Sequence, residues 1–390
     1  MSEQKAFLEK VHIKNFLSLR NVTLPLKPLT VLVGPNASGK SNILEAFQFL
    51  NEIMAHELAP TVEEIQDFLW AGEANRITFQ LQGKIKDAPT LYEVDVKAEV
   101  DRPFVTEKLL VNDLKVISIQ NGVGKVWDEN GRNETTYNSN KLALRSAGDY
   151  GDKPITSILT AFIRGWEFYD FQPRRIRRGL TRFSPVTKDG HEVPKLDDEG
   201  LTLSLLLSHW YKSDRERFDS VSGSLAASTN LGIDFCTIDG VNQLCLLEAH
   251  KKPIPLAGTS DGTLRLVSYY ILINQSELPP LMAIEEPERN LHPGALKDIA
   301  YILERLAERT QVIITTHSSQ LLDTFSSKSL SDSLGVLLLR NRPRLGTEVI
   351  NIENIRDKRE ALAGWIADFG IGSAVFDSGL LQDLMEEPLC

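Results

Sequence analysis

A glycine-rich segment near the N-terminus is the first candidate site, because two glycines, a lysine and a serine have the spacing GxxxxGKS. The segment consists of Gly34, Pro35, Asn36, Ala37, Ser38, Gly39, Lys40 and Ser41. Glycines let such a loop wrap a phosphate with backbone N–H groups pointing inward, and the positive end of a following helix adds to the anion site. In this pattern the lysine reaches the β- and γ-phosphates and the serine hydroxyl holds Mg²⁺. We therefore predict a triphosphate site with Lys40 as a catalytic charge and Ser41 as a metal ligand; the alternative is a chance match in a loop.

The second candidate site is a pair of adjacent carboxylates, Glu285 and Glu286, at the end of the apolar run Leu281–Ile284. Charges at the end of a buried strand are costly unless they are paired or bound to a metal ion. We expect Glu285 to hold the shell of a Mg²⁺ ion and Glu286 to polarise the attacking water as a general base. A solvated strand end is the alternative, and it is less common for two adjacent acids than for one.

The third candidate is His317, which follows the apolar run Val312–Ile314 and two threonines. Ligands gather at the carboxyl ends of parallel strands. A catalytic histidine one strand after the carboxylates is therefore expected beside the γ-phosphate, which it would sense. The alternative is that His317, with Ser318 and Ser319, only caps the next helix.

A fourth candidate precedes a helix predicted over residues 256–275. Ser260 and Gly262 flank Asp261 and resemble a second phosphate-contacting helix start, with a hydroxyl and a glycine at the positive end of the helix. The segment lacks a lysine, so it is not another phosphate loop. Taken alone, it is better explained by a simple N-cap at Ser260 or Asp261.

The elements around the first site have the order that a phosphate loop requires. The run Leu29–Val33 is continuous and apolar, which is typical of a strand buried on both faces of a parallel sheet. The stretch Ser41–Leu50 has no Gly or Pro and places Ile43, Phe47 and Leu50 on one face, which predicts a helix. Strands alternate with helices at both ends of the chain, so we predict an α/β fold with a mixed, largely parallel sheet.

Four segments divide the predicted fold. They are the N-terminal part of the core over 1–75, an inserted antiparallel β lobe over 76–170, a helical lobe over 171–255 and the C-terminal part of the core over 256–390. Two short strands are expected in the first segment, with a turn near Asn21. A polar, Gly/Asn/Ser-rich stretch over 127–154 predicts a long exposed loop.

Composition indicates a globular chain: of 390 residues, 42% are hydrophobic and 25% are charged. The apolar runs are too short to cross a bilayer, and the first residues lack the apolar run of a signal peptide. We therefore expect a cytoplasmic protein with no membrane partner. The three cysteines, Cys236, Cys245 and Cys390, have no metal-ligand spacing and are too few to staple the chain, which favours a reducing compartment.

The net charge is −10, from 43 basic and 53 acidic residues, and it opposes binding of nucleic acid by the protein as a whole. Any such contact would need a local basic patch. One basic run is present, and it consists of Arg174, Arg175, Arg177, Arg178 and Arg182. It could bind a DNA backbone or a partner's acidic surface, but a solvated segment that balances nearby acids is the favoured alternative.

In their order along the chain, these motifs resemble those of ABC-type ATPases, a class of P-loop NTPase. More closely, they resemble the RecF/SMC/OLD-like branch of stand-alone AAA-type ATPases, over nearly the whole chain. The resemblance is carried by Ile13–Phe16, Val33–Leu44, Trp166–Phe171, Ser260–Arg265, Ile284–Pro293 and Gln311–Ser318. It implies the fold of an ABC-ATPase head, with ATP and Mg²⁺ as cofactors.

The resemblance also implies roles for residues outside the phosphate loop. Ser260 and Gly262 correspond to the signature motif, which in the family contacts the γ-phosphate bound by the other subunit. Two ATP molecules would be held in a head-to-tail homodimer, with Asn290-Leu291-His292 in the loop that crosses the interface. Gln172 matches the glutamine loop, which reads the metal ion and the γ-phosphate; an ordinary exposed loop residue is the alternative.

Several positions depart from the pattern of that family. Glu285 stands where many ABC enzymes have Asp, which favours indirect metal contact. The signature reads Thr259-Ser260-Asp261-Gly262 in place of Leu-Ser-Gly-Gly-Gln, and Leu17 stands where relatives often carry a basic residue. Residues 318–390 show no acidic cluster of the Toprim nuclease type, so we expect the chain to cut nothing by itself.

These patterns together predict an ATP hydrolase whose homodimerisation switches a DNA-related or effector partner, such as a nuclease, in genome maintenance or anti-phage defence. The biological role rests on the resemblance alone. One alternative is a nucleotide-dependent scaffold with little turnover. Another is an ABC transporter subunit, which the departure in the signature disfavours.

Overall fold

The computed structural model describes the chain in ten stretches: residues 6–55, 61–70, 75–97, 104–139, 141–147, 152–182, 194–248, 252–330, 332–356 and 360–376. The strands are β1 (Ala6–Phe16), β2 (Leu19–Pro25), β3 (Leu29–Val33), β4 (Arg76–Ile85), β5 (Ala88–Lys97), β6 (Phe104–Val111), β7 (Leu114–Gln120), β8 (Val123–Trp127), β9 (Glu134–Asn138), β10 (Glu167–Tyr169), β11 (Gly232–Ile238), β12 (Val241–Leu247), β13 (Ile254–Pro255), β14 (Leu281–Glu285), β15 (Gln311–Thr316), β16 (Leu334–Arg342) and β17 (Gly346–Asn351). The helices are α1 (Lys40–Ala55), α2 (Val62–Phe68), α3 (Ala143–Ala147), α4 (Pro154–Arg164), α5 (Pro173–Arg182), α6 (Leu203–Ser213), α7 (Arg215–Thr229), α8 (Asp261–Asn274), α9 (Leu296–Ala307), α10 (Ser319–Thr324), α11 (Ile352–Arg356), α12 (Glu360–Phe369) and α13 (Ile371–Phe376).

A six-stranded sheet with the order β10-β14-β15-β3-β16-β17 carries the candidate site. β17 is antiparallel to β16 and all other neighbours run parallel, which confirms the predicted largely parallel sheet. Strands β3 and β15 are buried at every residue, as expected for strands covered on both faces. The register places Glu285, Thr315 and Leu32 side by side, so the carboxyl ends of three strands meet at one edge.

Two apolar cores lie on opposite faces of this sheet. Val31 and Val33 of β3 belong to one core and Leu32 to the other, as the alternation of side chains along a strand requires. The first core includes residues of α6 to α10, and the second packs α1 against the strands of the N-terminal half. No helix within the described ranges is long and apolar enough to cross a membrane.

An antiparallel eight-stranded sheet has the order β2-β1-β4-β5-β6-β7-β8-β9. β4 pairs with β1 along most of its length, so the strands expected to form an inserted lobe extend the N-terminal sheet directly. The β1–β2 turn lies between Phe16 and Leu19, which pair with each other, and not near Asn21 as predicted. Leu19 is buried and already belongs to β2, whereas Arg20 and Asn21 are exposed within the strand.

A buried carboxylate orders part of the stretch 127–154, which corrects the expectation of a long exposed loop there. The stretch contains β9 and α3. Glu107 of β6 accepts hydrogen bonds from Leu144 N at 3.1 Å, from Tyr92 OH at 2.8 Å and from Ala143 N, at the start of α3. Burial raises the pKa of Glu107 to about 7, although these hydrogen bonds oppose the shift.

The segment predicted as a helical lobe contains α5 to α7 and also a three-stranded antiparallel sheet, β11-β12-β13. Asp239 and Gly240, with φ of 52° and 78°, form the hairpin turn between the first two strands, and such a dipeptide is a strong hairpin signal. Cys236 and Cys245 form a disulfide across this hairpin, with Cα atoms 6.1 Å apart. The expectation that the cysteines stay reduced is therefore wrong for this pair.

Candidate nucleotide site

The phosphate loop joins the buried strand β3 to helix α1, in the predicted context. Two residues with left-handed backbone shape it, Ala37 with a φ of 61° and Gly39 with a φ of 102°. A Cβ atom on Gly34 would lie 2.4 Å from the carbonyl oxygen of Leu339, so only a glycine fits at the end of the strand.

Lys40 is buried and turned onto this loop. Its Nζ donates hydrogen bonds to the carbonyl oxygens of Gly34, at 2.8 Å, and Pro35, at 3.0 Å. Burial lowers the pKa of Lys40, while the carboxylates of Glu286 and Glu285 act in the opposite direction. The ammonium group is therefore bound to the loop and interacts electrostatically with the acid pair.

Ser41 and Glu285 meet, although they are 244 residues apart in the sequence: Ser41 Oγ donates to Glu285 Oε1 at 2.7 Å. The strand register explains the contact, because it aligns the ends of β3 and β14 across β15. A hydroxyl and a carboxylate are hard oxygen ligands of the kind that Mg²⁺ prefers. The two residues thus fit the metal site predicted from the sequence.

Both carboxylate oxygens of Glu286 are engaged. Oε1 lies 2.9 Å from His317 Nε2, and Oε2 accepts from Arg289 Nε at 3.0 Å. The backbone of Glu286 is in the left-handed region, with a φ of 41°, which is strained for a residue with a side chain. Its N–H is held by the carbonyl and hydroxyl oxygens of Thr315, both at 3.1 Å, so the neighbouring strand imposes this geometry.

Glu288 belongs to the site, although the sequence patterns did not single it out. Its Oε1 accepts from Thr316 Oγ1 at 2.6 Å and from His317 N at 3.1 Å. Its Oε2 is buried and has no hydrogen-bond partner in the part of the chain that the structure describes. Glu288 therefore fixes the backbone from which His317 projects. Its only signal in the sequence was its place two residues after the acid pair.

A cavity of about 350 Å³, within the range of small-molecule sites, lies between the phosphate loop and the pair Glu286 and His317. It is lined by Ser18, Asn36, Ala37, Ser38, Gly39, Lys40, Ser41, Asn42, Glu286, His317 and Asn341. Three of these, Ser18, Asn42 and Asn341, were not predicted. They come from the β1–β2 turn, the first turn of α1 and the end of β16, and only the folded chain brings them together.

A chain of hydrogen bonds supports the phosphate loop. Asn42 Nδ2 donates to Ser18 Oγ at 2.7 Å, and Ser18 Oγ lies 2.7 Å from Thr347 Oγ1. Thr347 Oγ1 in turn donates to the Ser38 carbonyl at 3.1 Å. Because each hydroxyl has one proton, Ser18 must be the donor to Thr347. A Cβ atom on Gly39 would lie 2.1 Å from Thr347 Oγ1, so this glycine admits the contact.

The signature candidates lie on the surface and do not line that cavity. Ser260 is exposed and is the N-cap of α8, since its Oγ accepts from Thr263 N at 3.1 Å. The capping role considered for it is therefore present. A Cβ atom on Gly262 would lie 2.5 Å from the carbonyl oxygen of Asn290. The glycine thus lets the start of α8 pack closely on the loop that follows the acid pair.

Gln172, the glutamine-loop candidate, is also absent from the lining of the cavity. Its Nε2 lies 3.5 Å from Asp170 Oδ2, and its backbone N–H donates to the Glu199 carbonyl at 3.0 Å. The structure therefore places its side chain beside Asp170 and does not bring it to the phosphate loop.

Arg265 of α8 joins three segments of the site and is buried, at 1% exposure. Its Nε donates to the Phe171 carbonyl at 2.8 Å, and its Nη2 pairs with Asp170 at 3.0 Å. Its Nη1 donates to the carbonyls of Glu286 and Arg289, each at 3.2 Å. One guanidinium group thus fixes three parts of the site relative to each other: the segment before Gln172, the acid pair and α8, which is called the signature helix below.

The basic run lies on α5, directly after Gln172. Arg175 pairs with Glu199 at 2.9 Å, and Arg177 pairs with Asp261 at 2.6 Å. Arg174 and Arg178 are exposed, and the side chain of Arg182 lies outside the described residues. At least two of these arginines therefore serve contacts within the chain.

One sequence family matches most of the chain. The AAA_21 family, described as "AAA domain, putative AbiEii toxin, Type IV TA system", matches residues 29–323. The chain belongs to this family. The matched range begins with β3 and ends within α10, so it includes the phosphate loop, the start of α8, the acid pair and His317.

Curated relatives of this AAA_21 protein match it over shorter stretches. It is 46% identical over 43 residues to an OLD nuclease of Thermus scotoductus, which covers 11% of this chain and 8% of that protein. It is 28% identical over 94 residues to the DNA replication and repair protein RecF of Lactococcus lactis, which covers 24% of this chain and 25% of that protein. The chain thus spans at most a quarter of the length of these relatives.

A solved Smc head, bound to the C-winged helix domain of ScpA, has a similar fold, with a TM-score of 0.52. The likeness covers 90% of this chain and 99% of that chain at 14% identity, so it shows the fold alone. With the family match and the relatives, it identifies the AAA_21 protein as an ABC-type P-loop ATPase of the RecF/SMC/OLD branch, as predicted.

Proposed function

We propose that this chain binds ATP with Mg²⁺ and hydrolyses the bond to the γ-phosphate. The 2.7 Å contact between Ser41 Oγ and Glu285 Oε1 carries the proposal, because it brings the phosphate loop and the acid pair to one point. Ser41 and Glu285 would hold the metal ion. Bound Mg²⁺ would neutralise the charge that develops on the phosphate oxygens.

Lys40 would bind the β- and γ-phosphates. Its ammonium group now donates to the carbonyls of Gly34 and Pro35, and phosphate oxygens would replace these acceptors. A charged oxygen is a stronger acceptor than a neutral carbonyl, so the exchange favours bound nucleotide. The backbone N–H groups of residues 34–39 would complete the cradle.

Glu286 would accept a proton from the attacking water, but its two oxygens are held by His317 and Arg289. A general base needs a free oxygen within hydrogen-bond reach of the water. His317 lines the cavity, so a γ-phosphate there would compete with Glu286 for the His317 ring. In this mechanism, ATP binding itself releases one oxygen of the base.

The exposed position of Ser260 supports a head-to-tail dimer. Ser260 and the first turn of α8 do not line the cavity of their own subunit, and the start of a helix is a ready anion site. The γ-phosphate bound to one subunit would attract Ser260 of a second subunit and close the dimer. Hydrolysis would remove this attraction, which makes the dimer a switch biased by its ligand.

The partner that this switch acts on is proposed from the relatives. One relative is named for DNA replication and repair and another is named a nuclease. We propose that the dimer controls a DNA-related process or an effector protein, in genome maintenance or anti-phage defence. Direct contact with DNA would use the basic run on α5, in which Arg174 and Arg178 are exposed.

Two variants and one control test the proposed hydrolysis. Lys40→Ala is expected to lose binding of a fluorescent ATP analogue. Glu286→Gln is expected to bind ATP, to lose about 10²- to 10⁴-fold in phosphate release and to accumulate as a dimer. The control is Glu308→Gln, at an exposed pair with Arg305 on α9. A Glu286→Gln protein that stays monomeric and hydrolyses ATP at the parental rate would contradict the proposal.

The engagement of both Glu286 oxygens also supports a second candidate, a scaffold that binds ATP but turns it over slowly. Steady-state phosphate release, measured with and without DNA, separates the two. A rate near that of Glu286→Gln under both conditions would favour the scaffold. A rate at least tenfold above that variant would favour the ATPase switch.

A further inference from the structure

We propose that Arg177 is a positioning residue that ties residues 257–261, here called the signature loop, to helix α5. Through it, the segment at Gln172 and the subunit's own signature motif would move as one body. The inference rests on the proposed function, because the signature motif would complete the nucleotide site of a second subunit. It gives one arginine of the basic run a role inside the ATPase, distinct from contact with nucleic acid.

Arg177 uses all of its guanidinium nitrogens on one short stretch of chain, residues 257–261. Nε donates to the Ala257 carbonyl at 3.1 Å, and Nη2 donates to the Thr259 carbonyl at 2.7 Å. Nη1 pairs with Asp261 Oδ1 at 2.6 Å. A planar guanidinium can make such a set of contacts in a fixed geometry, whereas a lysine ammonium cannot. Two of the three contacts are with residues before Ser260 in the sequence, and the third is with the residue after it.

The signature loop is anchored at both ends and has contacts of its own between them: the N–H and the Oγ1 of Thr259 donate to the Leu256 carbonyl, at 3.2 and 2.8 Å. Leu256 before it and Leu264 after it are buried and anchor its ends. Between them, a Cβ atom on Gly258 would meet nothing within 4 Å, and Ser260 is exposed. From α5, Arg177 therefore holds the residues on both sides of Ser260, and Ser260 itself caps α8.

Helix α5 connects the contacts of Arg177 to the segment at Gln172. The helix starts at the residue after Gln172, and the Gln172 carbonyl accepts from Arg175 N at 2.9 Å and from Ile176 N at 3.0 Å. Ile176 is buried, so the helix is fixed to the core on one side. At about 1.5 Å per residue, Arg177 lies only about 7.5 Å along the helix axis from Gln172. A shift of Gln172 toward bound ATP would thus be passed directly to Ser260.

The experiment compares Arg177→Ala with Lys212→Ala, which also removes one positive charge, from an exposed position on the neighbouring helix α6. First, amide hydrogen exchange of residues 256–263 is measured with and without ATP, at protein concentrations too low for dimers. We expect ATP to slow this exchange in the parental protein and in Lys212→Ala, but not in Arg177→Ala.

The second measurement is ATP-dependent dimerisation by light scattering. Arg177→Ala is expected to need at least tenfold more protein to dimerise, while its affinity for ATP stays within about twofold, because Arg177 does not line the cavity. Arg177→Lys should recover only part of the effect. If Arg177→Ala matches Lys212→Ala in both measurements, the inference is wrong. Asp261→Asn weakens the same contact from the loop side and replaces Arg177→Ala if that protein does not fold.

Ser260→Asp distinguishes a failure of this inference from a failure of the proposed function. Aspartate is also a good N-cap, so α8 should keep its start, but its charge would repel a γ-phosphate. If Ser260→Asp dimerises with ATP like the parental protein, the head-to-tail dimer itself is wrong. If Ser260→Asp loses dimerisation and Arg177→Ala keeps it, only the role of Arg177 is wrong.

Discussion

Replacing Thr347 with valine removes one hydroxyl from the support of the phosphate loop and keeps the branched shape of the side chain. Thr347 is 4% exposed, so water cannot easily take the place of that hydroxyl. The Ser38 carbonyl would lose the donor now at 3.1 Å, and the Ser18 hydroxyl would lose the acceptor now at 2.7 Å. Thr347→Val therefore leaves one donor and one acceptor without partners in the protein, next to the loop that would hold phosphate.

The size of the effect follows from the Ser38 carbonyl, because Ser18 lines the cavity, where water can accept its proton. A buried polar group left without a partner costs about 1–3 kcal/mol. The loop can avoid part of this cost by moving until water reaches the Ser38 carbonyl, but the cradle is then lost. ATP binding would have to restore it, so the cost would appear as weaker binding. At about 1.4 kcal/mol for each factor of ten, we expect the Kd for ATP to rise about 5- to 150-fold.

The assay is the affinity for ATP of Thr347→Val, with Thr347→Ser as the matched control. Serine keeps the hydroxyl and should bind ATP within about threefold of the parental protein. The affinity for adenosine, which has no phosphate, should not change in either variant. If Thr347→Val binds ATP like Thr347→Ser, the hydrogen-bond chain does not shape the loop and the argument fails.

Three further predictions concern other contacts of the fold and the site. Glu107 has a pKa of about 7 in the folded chain against 4.5 when unfolded, so the folded state binds this proton more tightly. The free energy of unfolding should therefore fall by roughly 3 kcal/mol as pH rises from 4.5 to 7. In Glu107→Gln, the free energy of unfolding measured by denaturation at several pH values should depend less on pH. Glu288→Ala should lower the rate of phosphate release at least tenfold with little change in ATP affinity, because the His317 N–H loses its acceptor. Glu288→Gln keeps an acceptor and should retain most of the rate. Equal rates for the two variants would contradict this role. Gly262→Ala should weaken ATP-dependent dimerisation but not ATP binding, because its Cβ would lie 2.5 Å from the Asn290 carbonyl and would displace the start of α8. Unchanged dimerisation in light scattering would contradict this prediction.

The sequence predicted the motifs that are contiguous in the chain. Gly34 to Ser41 form a loop between a strand and a helix, so their geometry follows from local backbone rules. The acid pair and His317 were placed at one edge because each follows an apolar run, and apolar runs of that kind form parallel strands. What this reasoning could not supply was the strand order, in which β15 lies between β3 and β14 and places His317 beside Glu286.

The contacts that only the structure reveals join residues far apart in the sequence. Thr347 contacts Ser38 across 309 residues, and Arg177 contacts Thr259 across 82. No local period or spacing marks such residues, since a buried threonine or an arginine on a helix is common in any fold. The disulfide between Cys236 and Cys245 was missed for a different reason, because cysteines were counted against the whole chain and not within a single hairpin.

These distant contacts divide the site into parts with different tasks. The contiguous motifs present the groups that would touch ATP, and their chemistry follows from residue type. Single side chains from elsewhere then set the motifs relative to each other: Arg265 joins the acid pair to the signature helix, and Arg177 joins that helix's start to the segment at Gln172. The acid pair and the signature would serve the nucleotides of two different subunits. An arginine link between them within one subunit would therefore give each ATP a direct mechanical route to the other site.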